Sequence, residues 1–398
     1  MLVSVGRLWN HRRKPGGTTL TIASRRSALR GILGTIVLAA VLIVAQAALG
    51  RGAQAQPSGP AEWERTVAAA KKEGELVILI PPGSSHRDFL VREWPKAYPD
   101  IKLSLTTSPG PELMARFTLE RNSGKYLWDL VFTGTENGFA MRDAGFADPV
   151  QPEFILPDVK DPKTWGGWDE AFMDRERKYV FAARSYLKLP YFNAKLLSPD
   201  KVKRLGSKIF LDPELKGKVI WHEPLIPGSG RTFAPVMLQV LGEDGLRRFV
   251  QEQVVFTPNQ MDAVDRMARG QFLVGMGPII TGLLDRYTKA GVELDVRALG
   301  NTPEFGAYAN AGASNAVVVK DRPHPNAARV FLNWYLSKDV ATAMAKETGE
   351  DTRRKDVAEQ APPDERRVPG VKYWEAQREE FADDVRKAQA LIARLRGK

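Results

Sequence analysis

Along most of the chain apolar residues recur in two alternating rhythms. Trp63, Val67 and Ala70 share one face of a helix. It stops at Lys71-Lys72-Glu73-Gly74, with cations in its last turn and a glycine to end it. Residues 76–80 are then apolar without interruption, the pattern of a strand covered on both faces, and Pro81-Pro82-Gly83 breaks it. A second helix is predicted over 84–98, an alternating strand over 101–105, and a third helix with Leu113, Phe117 and Glu120 on one side. A strand over 129–132 follows. Strand, helix, strand, helix, strand is the opening of a doubly wound α/β domain. Further strands are predicted over 218–221, 272–276 and 316–319, and helices over 232–241, 260–269, 281–289 and 326–336. Residues 351–370 are charged and proline-rich, which predicts a surface loop. Trp374, Phe381, Val385, Ala388, Ile392 and Leu395 form one apolar stripe on a last helix, suited to docking on a lobe.

The first 55 residues follow a different plan. Ser24-Arg25-Arg26-Ser27-Ala28-Leu29-Arg30 precedes an apolar run over 32–49, and Ala53-Gln54-Ala55 offers small residues at signal-peptidase spacing. Residues 1–55 therefore read as a signal peptide cleaved near Ala55, which sends the remainder to the periplasm. The cationic segment resembles a twin-arginine signal, from which Ala28 and Arg30 depart, so the general secretory route is the alternative. An uncleaved anchor is the other reading of the apolar run.

Composition narrows what the rest can do. A chain of 398 residues suggests two domains, and 43% hydrophobic with 26% charged residues is ordinary for a folded protein. The net charge of +11 resides mostly in the leader, which holds eight cations and no anions. Beyond it 50 cations face 47 anions, a net of +3, so nothing points to nucleic acid. With no cysteine there is no disulfide, thiolate nucleophile, Cys-ligated zinc or lipoprotein anchor, and four histidines offer little for a metal centre. Neither a His-Glu-x-x-His nor a Gly-x-Ser-x-Gly pattern occurs, so no catalytic residue, cofactor or metal ligand is assigned and the chain is not read as an enzyme. No internal repeat is evident.

Several segments then match one family in order. Ala69-Ala70-Lys71-Lys72-Glu73-Gly74-Glu75-Leu76-Val77 resembles the opening of bacterial extracellular solute-binding proteins of the ferric-iron and related type, which serve ABC transporters. Tyr98-Pro99-Asp100-Ile101, Leu119-Glu120-Arg121, Asp129-Leu130-Val131 and Ala144-Gly145-Phe146-Ala147-Asp148-Pro149 are similar to its next steps. So are Leu211-Asp212-Pro213 with Lys216-Gly217-Lys218-Val219, and His324-Pro325-Asn326-Ala327-Ala328 with Phe331-Leu332-Asn333-Trp334-Tyr335-Leu336-Ser337. The resemblance implies an α/β type II periplasmic-binding-protein fold: two doubly wound lobes joined by crossing strands, with the ligand cleft between them. Lobe 1 is expected over 56–183 and 305–345, and lobe 2 over 184–304 and 346–398. The crossings are expected near 179–191 and 296–308.

In open α/β sheets ligands bind beyond the carboxyl ends of the strands. Ser84 and Ser85 follow the first strand and either cap a helix or offer hydroxyl and N–H groups to a ligand, while His86 reads as a surface residue. Thr133 and Thr135 flank Gly134 after the third strand. Pro227-Gly228-Ser229-Gly230-Arg231-Thr232 opens an apolar helix and resembles the family's ligand loop. Ser229, Arg231 and Thr232 are its candidate contacts, Arg231 being able to pair two-pronged with carboxylate or phosphate. On the crossing segments implied by the resemblance lie Arg184, Tyr186, Tyr191, Tyr308 and Asn310, Arg184 foremost; each is alternatively a hinge residue. Iron-binding members of the family use two adjacent tyrosines after the strand corresponding to 272–276. Here Pro278-Ile279-Ile280-Thr281 stands in that place, and no Tyr-Tyr pair occurs. The expected function is capture of a small organic anion by a monomeric receptor that hands it to ABC permease subunits. Ferric-ion or metal-chelate binding, a periplasmic sensor subunit and a cleft hydrolase are the alternatives.

Overall fold

The alternation of strands and helices closes into two separate β-sheets. The computed structural model describes residues 59–397 except 81–83, 108–109, 185, 188–189, 227–229, 278–286, 288–289, 300–308, 311–313, 362, 364–365, 367–373 and 376. The leader lies outside the described residues, as does the helix expected over 281–289 apart from Tyr287.

Helix α1 (Pro60–Glu73) begins with proline in its first turn and ends on Gly74 at φ 69°, whose N–H reaches the Ala70 carbonyl. The first sheet follows from β1 (Glu75–Ile80), α2 (Ser84–Ala97), β2 (Lys102–Thr107), α3 (Gly110–Asn122), β3 (Leu130–Thr133), α4 (Thr135–Asp143), β4 (Ala147–Asp148) and β5 (Phe181–Ala182). A two-residue strand β6 (Tyr186–Leu187) leads to the second sheet. That sheet holds β7 (Tyr191–Asn193), β8 (Val219–His222), β9 (Val254–Thr257), β10 (Val274–Met276) and β11 (Val296–Ala298), with helices α5 (Phe233–Arg248) and α6 (Gln260–Ala268). The chain returns through β12 (Ala309–Asn310) to β13 (Asn315–Val319), α7 (Pro325–Leu336), α8 (Lys338–Thr348) and α9 (Ala382–Leu395).

The first sheet has the order β2-β1-β3-β13-β4, with β5 also on β13; the second has β11-β7-β10-β8-β9; and β6 pairs with β12. β1, β2 and β3 run parallel and β13 antiparallel to β3. β8, β9 and β10 are likewise parallel. The β6–β12 ladder, Tyr186 opposite Asn310, is the double crossing between the sheets. This is the expected α/β architecture, with the return strand just past 296–308.

Both sheets are covered on both faces, because successive side chains of a strand point to opposite sides. Leu76, Ile78 and Ile80 pack with Trp94 and Phe331, whereas Leu79 and Val131 pack with Leu113 and Phe117. In the second sheet Val219 and Trp221 face Phe233, Phe249 and Ile392, and Ile220 faces Met267 and Phe272. Strand β9 and helix α8 carry no signal strong enough to have been expected. The helix predicted over 232–241 ends at a kink, Gly242, where φ is 66°.

Two expectations about the C-terminal quarter change. The charged stretch after α8 is not a loose surface loop: Asp351, Arg353, Arg354 and Ala361 are buried. The Arg353 N–H donates to the Ala183 carbonyl, and its guanidinium pairs with Glu375 at 2.6 Å with both side chains nearly fully enclosed. Arg354 donates to the Leu336 carbonyl, pairs with Asp356 and lies over Trp165. Arg142 joins Glu379 through two bonds of 2.7 Å. By these contacts much of the segment after 346 packs against the first sheet's helices, rather than wholly with the second lobe. Among the described residues, α9 joins the second sheet's core through Ala388, Leu391 and Ile392, and Trp374 packs on Val236 of α5. Composition misleads here because it counts charges without showing that they neutralise one another under cover. Trp374 and Phe381 precede that helix and meet edge-on.

Candidate functional site

The loops that follow the parallel strands are the candidate site, and one ion pair brings the two sets together. β3 ends at buried Thr133. Its carbonyl accepts from Asn315 at 2.9 Å and its hydroxyl from Asn137 at 3.1 Å, so Thr133 holds this corner in shape. Gly134 is the N-cap of α4 and offers no side chain to cap it. The first-turn amides of Thr135 and Glu136 thus receive no cap from that residue, at the positive end of the helix dipole. Thr135 is buried, and Glu136 points outward with its side chain 53% exposed.

From the second sheet, β8 ends at His222 and α5 opens at Phe233. Gly230 sits directly on the strand end: its N–H donates to His222 Nδ1 at 3.1 Å and its carbonyl accepts from Trp221 Nε1 at 3.0 Å. With Nδ1 accepting, the imidazole proton belongs on Nε2, which faces the Pro258 carbonyl at 3.3 Å. A Cβ on Gly230 would lie 1.7 Å from the His222 carbonyl oxygen, so only glycine fits. The next residue, Arg231, extends Nη1 to within 2.8 Å of Glu136 Oε2. A residue just before α5 therefore touches one in the first turn of α4, so the loops beyond the carboxyl ends of β8 and β3 face each other. Arg231 Nε is enclosed and has no acceptor among the described residues. Thr232 is buried beside it.

Arg184 leaves the first sheet just after β5 and is buried. Nη1 donates to Glu350 at 2.9 Å and also meets His86 Nε2, while Nη2 donates to Thr348 Oγ1 at 2.8 Å. His86, expected at the surface, is instead drawn against this guanidinium from the first turn of α2. Burial foremost, and then the charge of Arg184, hold its pKa well below that of a free imidazole. Burial likewise raises the phenol of Tyr335.

Of the residues singled out in the sequence, the structure brings together Thr133, Thr135 and Arg231, with Thr232 adjoining. Arg184 forms a separate cluster with Glu350. Tyr191 is buried in the second sheet. Ser84 and Ser85 open α2 and Tyr186 lies in β6 opposite Asn310, but their side chains are outside the described residues, as are Ser229 and Tyr308 altogether. Glu136, His222, Thr348 and Glu350 were not singled out; only Glu136, inside the stretch after the third strand, had a sequence signal. Among the described residues no group of three or more His, Asp or Glu could hold a metal ion. The chemistry on offer is hydrogen bonding and charge pairing, both suited to holding a polar ligand.

A family model described as bacterial extracellular solute-binding protein matches residues 90–367. No curated protein sequence matches the chain. Among solved structures the fold is similar to iron-bound HitA from Pseudomonas aeruginosa (TM-score 0.61, 16% identity, 81% of this chain and 99% of that one). It is also similar to AfuA from Actinobacillus pleuropneumoniae with exogenous fructose-6-phosphate bound (0.53, 19%, 81% and 97%). Apo FutA2 from Synechocystis PCC6803 is a third (0.57, 16%, 81% and 98%).

Proposed function

Because the chain belongs to the bacterial extracellular solute-binding proteins, we propose that it is the periplasmic receptor of an ABC importer, closing two hinged lobes around a small organic oxyanion. The observation that carries this reading is the Arg231–Glu136 pair, which spans the facing loops at 2.8 Å beside the start of α4. A guanidinium from one side and helix amides from the other suit a carboxylate or phosphate held between them. Ligand that touches both sides favours the closed arrangement, which is all that hinged capture requires.

Relatives of this fold include an iron-bound protein and one with a bound sugar phosphate. The absence of adjacent tyrosines from the sequence favours an organic anion over bare ferric ion here. Delivery to permease subunits, a monomeric state and a leader cleaved near Ala55 complete the proposal. Native mass spectrometry followed by a thermal-shift screen of carboxylates, phosphates, phosphonates and sugars identifies the ligand, since a molecule that binds only the folded form raises the melting temperature. Arg231→Ala is expected to weaken its binding by about 1.5–3 kcal/mol. Wild-type affinity in that variant would remove the assignment.

A further inference from the structure

Both arginines singled out in the sequence, one at this site and one in the neighbouring cluster, are already matched by carboxylates. Arg231 pairs with Glu136, and Arg184 with Glu350. His86, beside Arg184, is held neutral by burial and by that cation. A bare anion entering here meets no uncommitted positive charge on these residues, and at Arg231 it has a resident carboxylate as its neighbour.

The details of the Arg231 pair show what kind of molecule relieves this. Glu136 engages only Nη1, through Oε2; its Oε1 has no partner among the described residues and its side chain is half exposed. Arg231 Nε is enclosed without an acceptor among the described residues. The pair thus leaves one oxygen of a half-exposed carboxylate unbonded beside the guanidinium. A ligand oxygen accepting from Arg231 comes close to Glu136, and the two negative groups repel unless the ligand places a donor or a positive charge against Oε1.

We propose that Glu136 is the specificity-determining residue of the cleft, selecting ligands that carry an ammonium or other strong donor beside their oxyanion and rejecting bare oxyanions. This rests on reading the cleft as an oxyanion site. Calorimetry with two matched probe pairs, propionate against β-alanine and ethyl phosphate against 2-aminoethyl phosphate, tests it on the wild type and on Glu136→Gln. The amide keeps the side chain's size and one acceptor but removes the charge. In the wild type the amine-bearing member of at least one pair should bind about tenfold tighter. In Glu136→Gln the two members should come within about threefold, chiefly because the bare anion tightens. Equal binding of both members by the wild type, or an undiminished preference in the variant, overturns the proposal. Failure of all four probes overturns it too; the oxyanion reading falls with it only if the wider ligand screen is also empty.

Discussion

Arg396, just past the end of the last helix, grips Glu223 through two hydrogen bonds of 2.6 and 3.0 Å while its guanidinium lies 3.9 Å from the centre of the Phe256 ring. Gln389 adds a bond to the Pro224 carbonyl at 2.8 Å. The C-terminal helix therefore holds the start of the loop that carries Arg231, eight residues further along the chain.

Arg396→Ala should cost about 1–3 kcal/mol, because it strips a charged partner from a largely covered carboxylate. It should also loosen residues 223–232 before the rest of the second sheet opens. Hydrogen-exchange mass spectrometry checks this: faster exchange confined to that loop is the expected outcome, and an unchanged loop would show that α9 is not its anchor.

Two glycines at the site should respond very unequally to alanine. Gly230→Ala drives a Cβ to 1.7 Å from backbone, which cannot yield as a side chain would, so a loss of about 3 kcal/mol or more is expected. Gly134 has extended backbone, with φ −68° and ψ 157°, and nothing within 4 Å of an added Cβ. Gly134→Ala should cost less than about 1 kcal/mol. Urea denaturation of both variants decides it; similar losses would mean that the loop after β8 is not packed as described.

His86 should make stability fall with acid. Its pKa in the folded state lies well below the 6.5 of a free imidazole, through burial first and Arg184 second. Below about pH 6.5 the unfolded chain takes up a proton that the folded one refuses, so this contribution is complete above that pH and is lost as pH falls. The slope approaches about 1.4 kcal/mol per pH unit. His86→Gln should remove that slope, and the other histidines cancel in the difference. Parallel stability curves for wild type and variant between pH 7 and 5 would show that His86 titrates freely.

The strands over 76–80 and 316–319, the amphipathic face of Trp63, Val67 and Ala70, and the helix opening after Gly230 were all legible in order along the chain, because local periodicity reports which face of an element must be buried. The His324-Pro325-Asn326 motif was legible too, but its role was not. His324 donates its N–H to buried Asp129 at 2.7 Å, and Asn326 and Ala327 donate theirs to Glu73, so these residues fasten the amino ends of the strands, far along the sheet from the cleft. Arg231 was recognisable as a site residue from its glycine-rich surroundings. Its partner Glu136, 95 positions away, was not singled out, nor were Thr348 and Glu350, which occupy Arg184. Covalent order constrains neighbours a few residues apart, and hydrophobic spacing is a property of such neighbours. Which charge meets which across a cleft depends on how whole sheets are brought face to face, and that is settled only when the chain has crossed between them twice and packed.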